Sequence, residues 1–229
     1  MSVRHSHVVG RGPGRMTPDG CPIDLWTALP AGEIPALLES AIRPAGSVLD
    51  LGAGAGRLAH PLVAAGHSVT AVDESLDMLD LIEGAATVHS TIEDLRLGRR
   101  FDAVLLASHL VNVPDDDKRA ALLATCREHV LATGVVLVQR YTREWVETAS
   151  GTIDLGCGVV SEVAVRPAAG ADLVAVRAAY TLAGQRWEHT YTTRVLDDEQ
   201  LDADLARVGL MLDRWLSDDG RWVVAVPGH

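Results

Sequence analysis

Cysteine, phenylalanine and long apolar runs are all scarce in this chain. Its 229 residues include three cysteines and one phenylalanine. Cys21, Cys126 and Cys157 are widely spaced and form no Cys-x-x-Cys pair, which argues against a disulfide framework and against a structural zinc site. Charged residues interrupt every apolar stretch before it reaches the length of a membrane span, and no apolar signal segment is present. We therefore expect a soluble, cytoplasmic protein without a metal centre.

Basic residues are outnumbered by acidic ones. Twenty Lys and Arg stand against 31 Asp and Glu, for a net charge of −11. This balance opposes attraction to phosphate backbones and anionic lipids, so neither nucleic acid nor membrane is an expected partner. The length suits one domain with a sizeable core. We expect an N-terminal tail or lid over residues 1–30, with 1–20 mobile, and one domain over 31–229 that is a monomer or a homodimer.

Strands and helices alternate through the first 140 residues. Apolar spacing predicts helices at 34–42, 57–65 and 76–82, and a further helix capped by Asp115 or Asp116 whose inward face carries Leu122, Leu123, Cys126 and Val130. Strands are predicted at 47–51, 67–72, 87–88, 101–107 and 134–138. Such alternation is typical of a doubly wound parallel sheet with right-handed crossovers.

The remainder of the chain changes character. Three strands, at 159–165, 173–182 and 186–194, are separated by Gly-containing turns and predict an antiparallel insertion over residues 152–195. A helix at 198–208 and a strand pair at 210–215 and 222–226 follow. The fold class is therefore α/β, with a doubly wound, seven-stranded mixed sheet and an antiparallel β insertion before the last helix.

A glycine turn follows the first strand, in the stretch Asp50-Leu-Gly-Ala-Gly-Ala-Gly56. A strand that ends in such a turn before a helix places bare backbone beside a ligand. In the dinucleotide version the third glycine would fall at Arg57. A carboxylate just before the turn disfavours a pyrophosphate and favours an ammonium or sulfonium group. Asp73, at the end of the next strand, suits a ribose diol, so the pattern predicts a nucleoside with a cationic tail.

Simpler interpretations of the same residues stay open. The glycines could form a structural turn that holds no ligand, and Asp73 could cap the helix that starts near Leu76. The acidic run 115–117 is better explained as a helix cap and solvated face than as a metal site.

The segments 48–56, 69–73 and 101–104 together resemble the class I S-adenosylmethionine-dependent methyltransferases, of the small-molecule type, and the resemblance extends over about 47–226. It implies a Rossmann-like methyltransferase fold with S-adenosylmethionine as cofactor. In many relatives an Asp after the third strand holds the adenine, but Thr91 stands there, so Ile92 is expected to cover the ring, with Glu93 or Asp94 as substitutes. The implied cofactor-binding residues are Asp50, Gly52, Gly54, Gly56, Asp73, Glu74, Thr91, Ile92, Glu93 and Ser108.

The acceptor is expected beyond the carboxyl ends of the strands. In the family, the loops after the fourth and fifth strands flank the methyl group. His109 is the first candidate for a general base because an ordinary imidazole titrates near neutrality, although it could instead only orient its loop. His189 and Tyr141 are the other catalytic candidates. The substrate candidates are Trp26, Asn112, Arg140, Tyr141, Trp145 and Trp187.

Alternation in the last insertion strand sends Trp187, His189 and Tyr191 to one face. This stripe could cover a small organic acceptor or could pack on the main sheet. Trp26 lies in a segment, 21–26, that resembles the lids of small-molecule methyltransferases. We expect methyl transfer to an O or N atom of a small molecule, such as a secondary metabolite or an amino-acid-like acceptor. The alternatives are a non-catalytic S-adenosylmethionine-binding module and an NAD-dependent oxidoreductase.

Overall fold

The structure, a computed structural model, describes residues 8–17, 20–170 and 172–228. The helices are α1 (Ile23–Ala28), α2 (Ile34–Glu39), α3 (Ala59–Ala64), α4 (Leu76–Leu79), α5 (Asp116–His129), α6 (Arg143–Thr148) and α7 (Asp198–Arg207). The strands are β1 (Val8–Arg11), β2 (Ser47–Leu51), β3 (Ser68–Asp73), β4 (Ala86–His89), β5 (Phe101–Leu106), β6 (Val130–Gln139), β7 (Gly151–Gly156), β8 (Val159–Pro167), β9 (Leu173–Leu182), β10 (Gln185–Arg194), β11 (Leu210–Trp215) and β12 (Trp222–Pro227).

A seven-stranded mixed sheet forms the centre of the fold, in the order β11-β12-β6-β5-β2-β3-β4. The five strands from β6 to β4 are parallel, while β12 and β11 add antiparallel at one edge. The order reverses beside β2, because β3 lies on one side of it and β5 on the other. Ligands of such sheets bind at this switch point. The predicted fold class is confirmed.

Both faces of this sheet are covered, which explains why its inner strands are apolar throughout. Along β2, Leu49 packs in the core shared with α5 and α7, while Val48 packs in the core shared with α2 and α3. Successive strand residues point to opposite faces, so one short strand serves both cores. The carboxyl ends of β2, β3, β5 and β6 remain at one edge, where the glycine loop and the predicted acceptor loops follow.

The insertion contributes four strands, β7 to β10, and not the three that were predicted. Together with the N-terminal β1 they form a five-stranded antiparallel sheet in the order β1-β10-β9-β8-β7. Val8–Arg11, which we expected in a mobile tail, pairs with β10 as an edge strand. Main-chain hydrogen bonds hold this strand, and they leave no periodic pattern in the sequence. Of the predicted tail, residues 1–7, 18 and 19 lie outside the described residues. β7 was also missed, because its mostly exposed side chains show no apolar alternation.

Several other helices differ from the sequence prediction; for example, α2 ends at Glu39 and not at 42, and α4 ends at Leu79 and not at 82. Val130, predicted on the inner face of the fourth helix, begins β6, because α5 ends at His129 and the chain continues directly into the strand. α3 begins at Ala59, since the glycine loop continues through Arg57. α6 was not predicted; it is a six-residue helix whose N-cap Thr142 accepts a hydrogen bond from the Trp145 N–H.

Candidate functional site

Asp50 is buried at the end of β2, directly before the glycine loop. Its side chain is 2% exposed, and its Oδ2 has no hydrogen-bond partner within the described structure. Desolvation raises the pKa of Asp50 from 3.8 to about 7, against the attraction of Arg57, and Asp73 adds to the rise. A buried carboxylate without a partner is costly unless a cation completes the site.

The glycine loop is tied to the next strand through Asp73. Its Oδ2 accepts the Gly54 N–H at 2.9 Å, and its Oδ1 accepts the Ser75 N–H at 2.9 Å. The N-cap of α4 is Ser75 itself, so Asp73 does not serve as the cap. Gly54 has a φ of +55°, and a Cβ placed on it would meet nothing within 4 Å. The loop therefore presents bare backbone to open space beside two acidic side chains.

These observations fit S-adenosylmethionine. An unpartnered buried carboxyl suits its cationic end, and the open space over Gly54 suits close approach of a ligand to backbone. Ile92 is buried, and its Cδ1 lies 3.7 Å from where a Cβ of Gly52 would stand, so an apolar side chain adjoins the glycine loop. Ile92 as the cover of the adenine ring stays a prediction.

The other expected cofactor residues are engaged locally. The Thr91 hydroxyl donates to Asp94 at 2.8 Å, and Glu93 pairs with Lys118 at 3.2 Å. The Glu74 carbonyl faces the His89 ring nitrogen at 3.1 Å. Gly56 has a φ of +84° and lies against the His60 ring. None of these contacts holds Glu93 or Asp94 against the glycine loop. The cofactor role of these residues stays a prediction.

The loop after β5 adopts an uncommon backbone. Ser108 and His109 both lie in the left-handed region, with φ of 53° and 59°. Consecutive non-glycine residues there are strained, and such strain is concentrated at functional sites. Gln139, at the end of β6, fixes the turn by accepting the Ser108 N–H at 2.9 Å.

His109 is held between an arginine and a tyrosine. Arg221 Nη2 lies 3.4 Å from its Nε2, and its ring stacks on Tyr141 at 3.7 Å. Burial holds the pKa of His109 well below its ordinary value, and the charges of Arg221 and Arg57 act in the same direction. Because arginine only donates, Nε2 must accept, and the proton of the neutral ring then sits on Nδ1.

Residues from α1, from the loops after β5 and β6, and from strands β9 and β10 form an aromatic wall: Trp26, His109, Tyr141, Tyr180, His189 and Tyr191. The ring centroid of Trp26 lies 6.1 Å from that of Tyr180 and 6.3 Å from that of His189. The ring centroids of His189 and Tyr191 are 5.3 Å apart. The Tyr141 and Tyr191 hydroxyls are 2.8 Å apart. Burial raises the pKa of Tyr141 to about 12 and moves those of Tyr180 and Tyr191 upward too. The three tyrosines of the wall therefore keep their hydroxyl protons at physiological pH.

Three predicted substrate residues have all their polar groups engaged within the fold. Asn112 is fully buried; its Nδ2 donates to the carbonyls of Tyr141 and Arg194, and its Oδ1 accepts the Tyr141 N–H. Arg140 donates to Gly220, Leu196 and Asp198. These contacts leave Asn112 and Arg140 holding loops in place. The Trp187 N–H donates to the Pro13 carbonyl, and its ring is buried against α1.

The Trp145 ring stacks on that of Tyr141, with their centroids 3.8 Å apart, and Trp145 also packs on the insertion sheet. It therefore fixes the position of Tyr141 in the aromatic wall. Sequence reasoning missed Tyr180, Gln139 and Arg221. A usable indication existed for Tyr180. The two-residue turn Ala183-Gly184 sets Leu182 opposite Gln185, and counting back places Tyr180 opposite Trp187 on the aromatic face.

A methyltransferase-domain family model matches residues 48–134, which contain Asp50, the glycine loop, Asp73 and His109. Over these residues the chain is similar to methyltransferase domains. The expected cofactor, S-adenosylmethionine, is that of the S-adenosylmethionine-dependent family to which the matches point. Two curated proteins are also similar to the chain. A ubiquinone biosynthesis O-methyltransferase from Haemophilus ducreyi is 31% identical over 110 residues, which are 42% of this chain and 45% of the relative.

The second relative is a dTDP-3-amino-3,6-dideoxy-alpha-D-glucopyranose N,N-dimethyltransferase from Streptomyces fradiae. It is 26% identical over 199 residues, covering 80% of this chain and 77% of its own length. The chain thus spans under half of the first relative and about three quarters of the second.

Solved structures confirm the methyltransferase fold over nearly the whole chain. The CcbJ methyltransferase from Streptomyces caelestis superposes with a TM-score of 0.71 at 22% identity, covering 92% of each chain. The sugar N-methyltransferase KedS8 from Streptoalloteichus gives a TM-score of 0.69 at 20% identity, covering 96% of this chain and 98% of its own.

Over 8–17, 20–170 and 172–228, no group of three His, Cys, Asp or Glu side chains is arranged to hold a metal ion. In the same part of the chain, no helix is both long and apolar enough to cross a bilayer.

Proposed function

We propose that the protein transfers a methyl group from S-adenosylmethionine to a nitrogen or oxygen atom of a small molecule. The observation that carries the proposal is the buried, unpartnered Asp50 carboxyl beside the open backbone of Gly54. When bound, the cofactor supplies an electrophilic methyl group on a sulfonium. The work of this chain is then to hold donor and acceptor in line and to exclude water.

Each part of the cradle has a proposed role. Asp50 faces the cationic methionine end, and the backbone of Gly52, Gly54 and Gly56 surrounds the cofactor. Asp73, already fixed by the Gly54 and Ser75 N–H groups, accepts from the ribose hydroxyls. Ile92 covers the adenine. Arg57, whose attraction acts on Asp50, stands where a dinucleotide-binding loop would need its third glycine, which disfavours the oxidoreductase alternative.

Nitrogen is the favoured acceptor atom. The relative from Streptomyces fradiae and KedS8 are both named as N-methyltransferases of sugars. The aromatic wall supports the same choice, because neutral tyrosines and a histidine with a depressed pKa make weak bases. An amine bound in its unprotonated form needs no base, whereas a hydroxyl gains more from one. His189, in the wall beside Trp26, is the alternative proton acceptor.

Calorimetry tests the proposed function directly. We expect S-adenosylmethionine and S-adenosylhomocysteine to bind at one site and NAD not to bind. Turnover is followed as S-adenosylhomocysteine release with a set of small amines and alcohols. Failure of both sulfur ligands to bind would refute the assignment. Binding without turnover of any acceptor would support the non-catalytic module instead.

His109 is expected to be neutral at pH 6.5, with its proton on Nδ1, because burial and Arg221 hold its pKa well below that ordinary value. Nitrogen-15 NMR of the imidazole rings distinguishes the two tautomers. A His109→Asn variant identifies the resonance, since asparagine tolerates the left-handed backbone. A ring that titrates near pH 6.5, or that carries its proton on Nε2, would restore the general-base role.

A further inference from the structure

A cavity of about 490 Å³ lies at the carboxyl end of β6. Its polar lining comes from Gln139, Arg221 and the carboxylates of Glu33, Asp218 and Asp219. Residues of α2 and of the β11–β12 hairpin supply its apolar surface. The volume falls in the range of small-molecule pockets. This cavity shares no residue with the aromatic wall.

His109 and Arg221 connect the cavity to the aromatic wall. Arg221 lines the cavity and reaches His109 Nε2, while the opposite contact of the same ring is the stack on Tyr141. Gln139 also lines the cavity and holds the Ser108 N–H. A ligand in the cavity therefore lies against the residues that fix the loop after β5.

Gln139 presents a buried donor to this space. The residue is only 5% exposed, and its Oε1 is identified by the bond from the Ser108 N–H, because an N–H must meet an oxygen. Its Nε2 then carries two N–H donors that no group in the described part of the chain accepts. Gln139 Nε2 is not among the fully buried polar atoms that lack a partner, so its donors are open to the cavity, where an oxygen of a ligand or of solvent can accept them.

Two carboxylates at the cavity carry uncompensated charge. Asp219 is engaged by the Ser217 hydroxyl, by the Arg221 N–H and by the Arg221 guanidinium at 4.0 Å. Glu33 and Asp218 are exposed and make no ion pair or hydrogen bond with the described residues. The cavity thus combines a negative mouth with an inner hydrogen-bond donor, and it is complementary to a cation that also bears oxygen.

We propose that this cavity is a recognition subsite for the methyl acceptor and that it binds an ammonium group on a hydroxylated carbon skeleton. A protonated amine has no lone pair, so the ammonium held here is not the atom that receives the methyl group. The acceptor is accordingly a small molecule with at least two heteroatoms, one bound in the cavity and one reacting near the aromatic wall. The inference rests on the proposed function.

The same charges disfavour a nucleoside diphosphate as part of the acceptor. A diphosphate placed at this mouth would lie beside the Glu33 and Asp218 carboxylates, and their negative charges would repel it. The cavity therefore separates two classes of amino sugar, the free or glycosidic amine from the nucleotide-linked one.

Ligand-detected NMR titrations on the protein saturated with S-adenosylhomocysteine test the subsite. The probes are glucosamine, glucose as its neutral counterpart and thymidine diphosphate. We expect glucosamine to bind, glucose to bind about twofold to fivefold more weakly, and the diphosphate not to bind, since an exposed ion pair contributes up to about 1 kcal/mol. The double variant Glu33→Gln/Asp218→Asn should reduce glucosamine affinity to that of glucose.

The matched control is Glu39→Gln, which removes an exposed carboxylate from the same helix α2 outside the cavity. It should leave glucosamine affinity unchanged, and neither variant should alter S-adenosylhomocysteine affinity. Equal binding of glucose and glucosamine, an equal loss in the control, or preferred binding of the diphosphate would overturn the subsite. If S-adenosylhomocysteine itself fails to bind the unaltered protein, the proposed function fails instead.

Discussion

An Asp50→Asn variant is expected to bind S-adenosylmethionine about tenfold to a hundredfold more weakly, because a hydrogen bond to a charged group contributes about 1.5–3 kcal/mol. The same variant is expected to unfold less readily than the unaltered protein near pH 8 in the absence of cofactor. Both effects come from one feature, a buried carboxyl that has no partner for its Oδ2 among the described residues.

The pH dependence has a definite sign. The pKa of Asp50 rises from 3.8 to about 7 on folding. Between these values the unfolded chain has lost the proton and the folded one keeps it, so the free energy of unfolding falls as pH rises. Roughly three pKa units correspond to a loss of about 4 kcal/mol, complete above pH 7. Asparagine cannot ionise and avoids this loss.

Urea unfolding at about pH 5 and about pH 8 measures the effect, with Asp202→Asn as the control for removing an exposed carboxylate. Calorimetry in two buffers of different ionisation enthalpy adds a second test. Near pH 6.5, cofactor binding should release a proton as Asp50 ionises beside the cation. A stability that is flat with pH in the unaltered protein would contradict the account.

A Gly54→Ala variant is expected to show the second large loss of affinity for the cofactor. We expect it to weaken cofactor binding by about 1–3 kcal/mol, or roughly fivefold to a hundredfold, because the new methyl group fills space that the cofactor needs. The fold itself should lose only about 1–2 kcal/mol for an alanine in the left-handed region, since nothing lies within 4 Å of the added carbon.

Gly98→Ala is a close control for this variant. Gly98 has a φ of +64°, against +55° for Gly54, and it also has open space around its missing side chain. The two variants should lose similar stability in thermal unfolding, yet only Gly54→Ala should lose affinity for S-adenosylmethionine. Equal affinities would mean that the cofactor does not approach this part of the backbone.

The cofactor half of the fold was predictable because its features are local. The apolar run at 101–107 places a buried strand, and Asp50 and Asp73 stand at fixed distances from the glycines, so short-range geometry determines where they lie. The cap of α5 follows the same logic, since the Asp115 side chain accepts a hydrogen bond from the Lys118 N–H three residues on. In these cases the partner lies within a few residues or on the adjacent parallel strand.

The acceptor side was less predictable because its contacts join distant segments. Arg221 reaches His109 only after the β11–β12 hairpin folds back on β6, and no local pattern encodes that approach. Asn112 was expected to touch substrate, but it satisfies backbone groups of Tyr141 and Arg194. The sequence does not distinguish an asparagine that hydrogen-bonds buried backbone groups from one that faces a substrate pocket. The distinction depends on which backbone N–H and C=O groups the fold leaves without a partner.

The pairing of β1 with β10 has a consequence for where translation begins. Met16 is an internal methionine downstream of β1, and a chain initiated there would lack Val8–Arg11. The ladder from Tyr191 to Glu188 would then lose its neighbour and become an open sheet edge. Open edges recruit other strands, so the shorter product would be prone to self-association. Val8–Arg11 thus protects this edge of the sheet from self-association.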